Sequence, residues 1–182
     1  MGMGSVKKNW LKFFIGWVVC FAIRLLPFRP PNVEPILGTQ MPFSKQYGAL
    51  AGFVFAFVNI ALFDIVTAKI GMWTWITALT YGVLGIASAF YFKKFKANAL
   101  NYGIFAVIGT IFYDAITGLG IGPLLYGQPF MEALIGQIPF TAWHLAGNVT
   151  LAVFLSPTIH RWIISNEKIE FPYIINRVKR LV

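Results

Sequence analysis

The chain has 182 residues and a formal charge of +9 at pH 7; it is 58% hydrophobic and 17% aromatic, with only 12% charged residues. A soluble domain carries about a quarter charged residues, so this composition, with a mean hydropathy of +0.70, excludes an ordinary water-exposed surface and indicates a chain solvated by lipid. The basic residues sit at the ends of apolar runs, as membrane-topology signals do, so no nucleic-acid partner is expected.

After a short basic opening, MGMGSVKKNW, a first span is predicted at about 10–26. It shows no small-residue cleavage site, and Arg24 lies near its end, so it reads as a retained helix and not a cleaved leader. The single cysteine, Cys20, lies inside this run and excludes an intrachain disulfide. Pro27, Pro30 and Pro31 end the run. Clear apolar spans follow at about 47–68, 73–92 and 98–117, with the basic KKFK turn at 93–96. The Gly/Pro-rich stretch GLGIGPLLYGQP, 118–129, reads as a loop leading to the short segment FMEALIGQ. Through residue 138 this stretch is long and apolar for a connection and suits a lid. A last span covers about 139–164, and the basic tail 165–182 is expected at the inner surface.

Those are five spans, and charge parity decides whether there is a sixth. With five, the triplet Lys93, Lys94, Lys96 falls on the opposite side from Lys7, Lys8 and Lys12, and so does the tail. That violates the positive-inside rule. If 32–44 is a short, Pro-broken second span, every basic residue except Arg24, Arg29 and Lys69 becomes cytoplasmic. About 13 residues make a helix of roughly 20 Å, short of the ~30 Å hydrocarbon core, so such a span needs shielding by its neighbours. The expected fold is therefore an all-α, polytopic bundle of six transmembrane helices forming one membrane domain. It sits in the cell membrane with both termini cytoplasmic.

This topology gathers Glu34, Asp64, Asp114 and Glu132 at or near the outer ends of helices and leaves no acid at midplane, which argues against an ion pump. An internal echo is also present: FDIVTAKIG (63–71) matches YDAITGLGIG (113–122), suggesting that 47–92 and 98–164 are parallel repeats. Asp64 with Thr67, and Asp114 with Thr117, stand three apart on one helix face. Each Asp is expected near a helix C-terminus, where the macrodipole disfavours an anion. Either a cation such as Arg24, Arg29 or Lys69, or backbone N–H groups, compensate it, or it helps to hold a ligand. Thr141, His144 and Asn148 form a polar stripe that must face protein or water. Thr74, Thr77 and Tyr81 share a face beside Trp73 and suit a cavity wall. One such His is too few for a metal site, and no nucleophile motif accompanies it. Neither a metal, a cofactor nor an enzymatic activity is expected.

The succession RPPNVEPI, FDIVTAKIGMWTWITALTYGVLG, YDAITG and IPFTAWHLAGNV resembles the substrate-binding S-component of an energy-coupling factor (ECF) transporter over roughly residues 10–164. The Asp-x-x-Thr helix ends and the Pro139, His144, Asn148 spacing are its most specific parts. The resemblance implies six spans and an outward site for a vitamin or related micronutrient. It also implies partnership with a membrane coupling subunit and two ATPase subunits, and delivery by toppling of the S-component in the bilayer. On it, the ligand-binding residues are Asn32, Glu34, Asp64, Trp73, Asp114, His144 and Asn148, with the 118–138 loop and the RPPN segment closing the site. Gly16 and Cys20 occupy the place where small residues of the first span contact the coupling subunit. The readings from other classes are a structural or assembly membrane protein without a small ligand, and a membrane-embedded enzyme using Asp64, Asp114 and His144.

Overall fold

The structure is a computed structural model that describes residues 10–27, 33–166, 169, 170 and 173. Among them there is no strand. The helices are α1 (Trp10–Arg24), α2 (Pro35–Tyr47), α3 (Ala49–Val66), α4 (Met72–Lys94), α5 (Ala99–Asp114), α6 (Gly122–Tyr126) and α7 (Phe130–Thr158). π-helical turns at Ala115–Ile121 and Ile159–Ile164 extend α5 and α7. Four continuous helical stretches are long and apolar enough to cross a bilayer: Ala49–Val66, Met72–Lys94, Ala99–Tyr126 and Phe130–Ile164. The chain is an all-helical membrane protein with transmembrane helices.

The helices are apolar on both sides because lipid replaces water outside the bundle. On α3, Leu50, Val54 and Val58 face outward while Ala51, Phe55 and Asn59 are buried. Local signals fix the ends: the Asn98 side chain caps α5 by accepting from the Asn101 N–H at 2.9 Å. The most extensive packing joins α3 to α4 and α5 to α7, and both pairs are antiparallel: Gly52 meets Gly85 and Asp64 meets Thr74, while Thr110 meets Asn148 and Asp114 meets His144. Asp64 and Trp73 therefore share an end of the bundle with Arg24 and His144. At the other end, Lys12 donates to the carbonyls of Ile164 and Asn166, and Lys45 to that of Phe92.

The centre of the bundle is α2. Eleven of its thirteen residues are buried, and it touches α1, α3, α4, α5 and α7. It runs back along α1, so that Tyr47 meets Trp10 with ring centroids 5.2 Å apart. The expected boundaries, 32–44, shift to 35–47, and the expected Pro break does not occur. Pro35 occupies the first turn, where its missing N–H costs nothing. Pro42 lies inside the helix and cannot bond the carbonyl four residues back, that of Gly38. The Ser156 hydroxyl of α7 donates to that carbonyl instead, which keeps the helix whole. Gln40 secures the opposite face, its Nε2 donating to the carbonyls of Gly52 at 3.2 Å and Tyr81 at 2.8 Å. At this point α3 and α4 meet backbone to backbone: a methyl on Gly85 would overlap the Gly52 carbonyl.

Three further expectations are corrected. The 118–138 stretch is not a loop; only 127–129 lie outside helix. Its punctuating residues sit where helices accept them: Pro123 in the first turn of α6, Gly127 as a left-handed cap at φ +62°, and Pro129 as the N-cap of α7. Asp114 is not at a helix terminus, because the π turn continues α5. Gly16 and Cys20 do not present an outward docking face: Gly16 abuts the Phe43 ring, and buried Cys20 lies 3.1 Å from the Thr39 hydroxyl. Asn32 and the RPPN segment, and most of the 165–182 tail, lie outside the described residues.

The α3–α4 crossing gives a stability test. Gly85→Val should destabilise the fold by roughly 1–3 kcal/mol through overpacking, read as a lower thermal midpoint in detergent. Gly136→Ala, where a methyl meets nothing within 4 Å, should leave that midpoint unchanged.

Candidate functional site

A pocket of about 300 Å³ opens at the end of the bundle where α2 begins. Its floor is Ile36, in the first turn of α2, with Ile60 of α3. Arg24 closes α1 on one side and Glu34 precedes α2; Phe63 and Asp64 come from the last turns of α3. Trp73, Thr77 and Tyr81 line the α4 wall, and Tyr113, Phe140 and His144 complete the wall from α5 and α7. A second hollow of about 360 Å³ adjoins through Trp73, Thr77, Tyr113 and Phe140 and extends to Thr117, Gly118 and Gln137. Trp73 also packs on Tyr126 of α6, ring centroids 5.7 Å apart.

The polar groups are arranged by charge. Arg24 Nε lies 3.1 Å from a Glu34 carboxylate oxygen, its Nη1 donates to the Asn59 carbonyl at 2.7 Å, and its guanidinium covers the Phe63 ring at 4.3 Å. On the far wall, His144 Nδ1 lies 2.8 Å from Asp114 Oδ1, and the Tyr81 hydroxyl lies 3.2 Å from His144 Nε2. With Nδ1–H directed to the carboxylate, the neutral ring accepts from Tyr81. Both members of the pair are almost wholly buried, Asp114 at 2% and His144 at 3% exposure. Asp114 therefore sits behind His144 and orients it, and does not line the main pocket itself. Asp64 is half-buried at the pocket wall; its Oδ2 accepts from the Thr74 hydroxyl at 2.6 Å, and that hydroxyl also accepts from the Gly71 N–H.

Four of the residues expected from sequence thus converge on the pocket: Glu34, Asp64, Trp73 and His144. Asn148 is set deeper, fully buried, with Nδ2 donating to Thr110 Oγ1 at 2.9 Å. Asn32 lies outside the described residues. Glu132 is exposed on α7 and takes no part in the pocket lining. Sequence reasoning missed Phe63, Tyr113 and Phe140 as pocket walls. A signal for the first two was present, because they are the aromatic partners in the repeated aromatic–Asp pair. The echo extends to geometry. Thr67 and Thr117 each donate to the carbonyl four residues back at 2.8 Å, and each Asp takes a partner from the next long helix of its own half, Thr74 or His144.

The chain is similar to a UPF0397 protein of Lacticaseibacillus casei (strain BL23). The two are 27% identical over 141 residues, covering 75% of this chain and 74% of the relative. That relative's name states no activity. No family model matches the chain, and no solved structure matches it. Among the described residues no group of three His, Cys, Asp or Glu side chains is placed to hold a metal ion.

The buried His–Asp pair carries a prediction of its own. His144→Leu leaves the Asp114 carboxylate without its only hydrogen-bond partner among the described residues, and should cost about 3–5 kcal/mol. The double variant His144→Leu/Asp114→Leu should regain part of that loss, since an apolar pair of similar bulk removes the stranded charge. Denaturant titration in detergent, comparing both variants with wild type, measures it.

Proposed function

We propose that the chain is the substrate-binding S-component of an ECF-type transporter, capturing a vitamin or related micronutrient at the outer face of the cell membrane. The observation that carries this reading is the pocket at the α2 end. It is concave, and aromatic and aliphatic side chains share its wall about equally with the converging polar groups Arg24, Glu34, Asp64, Thr77 and His144, which can fix the orientation of a small molecule. The resemblance of the Asp-x-x-Thr helix ends and the Pro139–His144–Asn148 run to that family supports it.

In this reading α1 and α2 complete six spans with the four longer helical stretches, α2 being shielded on all sides as a 13-residue span requires. Both termini are cytoplasmic, because Lys12, Lys45, Lys93, Lys94 and Lys96 then share the inner side. Asp64 orients the ligand, the Arg24–Glu34 and His144–Asp114 pairs hold the walls around it, and Trp73, Tyr81, Tyr113 and Phe140 enclose it. The segment 115–126 flanks the site through Thr117 and the Tyr126–Trp73 contact. A membrane coupling subunit and two ATPase subunits supply the energy. In this reading the chain acts as a binding protein: Asp114 and Tyr81 hold the two ring nitrogens of His144 and fix the ring in the pocket wall.

Native mass spectrometry of the purified protein should reveal a co-purified small molecule. Thr77→Leu, which pushes a larger side chain into the pocket, should lose that molecule while keeping the thermal midpoint of wild-type protein stripped of it. A wild-type protein that carries nothing, or a Thr77→Leu protein that retains its passenger, would contradict the reading.

A further inference from the structure

We infer that the ligand of this pocket is an organic cation with a flat ring, its positive charge held by Asp64; this rests on the binding role proposed above and adds the chemical class. Apart from the phenols of Tyr81 and Tyr113, the described ionisable groups around the pocket are one guanidinium, one imidazole and three carboxylates. The guanidinium of Arg24 is already committed to Glu34, the Asn59 carbonyl and the Phe63 ring. The His144–Asp114 pair adds no net positive charge in either state of the imidazole: a neutral ring leaves the carboxylate charge, and an imidazolium cancels it.

Asp64 differs from both pairs. Its described hydrogen-bond partner is the neutral Thr74 hydroxyl, and no described cation lies within ion-pair distance of it. Lys69 is five residues on and exposed, and it meets Asp64 only through its backbone N–H, which donates to the Asp64 carbonyl. The carboxylate also stands two residues from the end of α3, where the helix dipole opposes an anion. The start of α4 lies opposite and offsets this in part, but a helix end carries about half a charge against the full charge of a carboxylate. An anion left so poorly compensated at the wall of a cavity attracts a cation from solution. Trp73, Tyr81 and Tyr113 line the same space, and the face of an aromatic ring is its electron-rich side. Such rings stabilise a cation further and favour a planar one that stacks.

The test is a matched set of planar probes differing in charge: 1-methylnicotinamide (cation), nicotinamide (neutral) and nicotinate (anion). Their affinities for the full-length protein in detergent are measured by saturation-transfer NMR and calorimetry. The cation should bind about tenfold more tightly than the neutral probe, the scale of a desolvated cation–π contact joined to an ion pair, and nicotinate should bind weakest. Asp64→Asn should erase the preference for the cation while leaving nicotinamide binding within about twofold. Retained nicotinamide binding shows that Asp64→Asn is folded, and Trp73→Leu, at a largely exposed ring, should independently weaken the cation several-fold. Equal binding of the three probes, tighter binding of nicotinate, or a cation preference that survives Asp64→Asn would overturn the inference. So would a co-purified molecule without a positive charge, and that result would leave the binding role standing. Failure of all three probes, together with a wild-type protein that carries no small molecule, would overturn both.

Discussion

The architecture depends on one constraint: the central helix is too short for the space it fills. Thirteen residues rise roughly 20 Å, against a hydrocarbon core of ~30 Å. α2 spends that length at the basic end of the bundle, where Tyr47 packs on Trp10 and Phe13, and Lys45 reaches the Phe92 carbonyl. The shortfall of roughly 10 Å is therefore concentrated at the other end, directly above Ile36. The surrounding helices continue past it and wall the gap. The pocket lies at the start of α2, over Ile36.

A short polar helix survives at the centre only because its neighbours complete it. Ser156 takes over the carbonyl that Pro42 leaves open, and Gln40 ties α2 to α3 and α4 where Gly52 and Gly85 bring their backbones together. Buried backbone groups in a membrane have no water to fall back on, so each of these bonds replaces an unsatisfied group. The same logic separates the charged groups above α2. Arg24 with Glu34, and His144 with Asp114, are internally matched; among the described residues Asp64 is matched only by the Thr74 hydroxyl.

The sequence made the helical membrane class legible because runs such as 47–68 and 73–92 are too apolar for any other solvent. It also pointed to the pocket end, since charge parity put Glu34, Asp64 and His144 on one side. The boundaries of α2 were not legible: Pro35 and Pro42 read as breaks, and the hydroxyl that repairs Pro42 comes from residue 156. The 118–129 stretch misled for a related reason, because Pro and Gly mark helix starts and caps as readily as loops. Asp114 and Asn148 were recognisable as polar groups needing partners, but which faced ligand and which faced protein depended on contacts across helices. Nothing local told that Asp114 would sit behind His144, or that Asn148 would turn to Thr110.

The central claim, a ligand pocket opening outward above a short central helix, is tested most directly by cysteine labelling in intact cells. Cys20 is the single cysteine and is buried, so a Cys20→Ala background carrying either Trp73→Cys or Lys94→Cys gives a clean signal. A membrane-impermeant maleimide should label Trp73→Cys in intact cells and Lys94→Cys only after permeabilisation. Labelling of Lys94→Cys in intact cells, with Trp73→Cys silent, would contradict it.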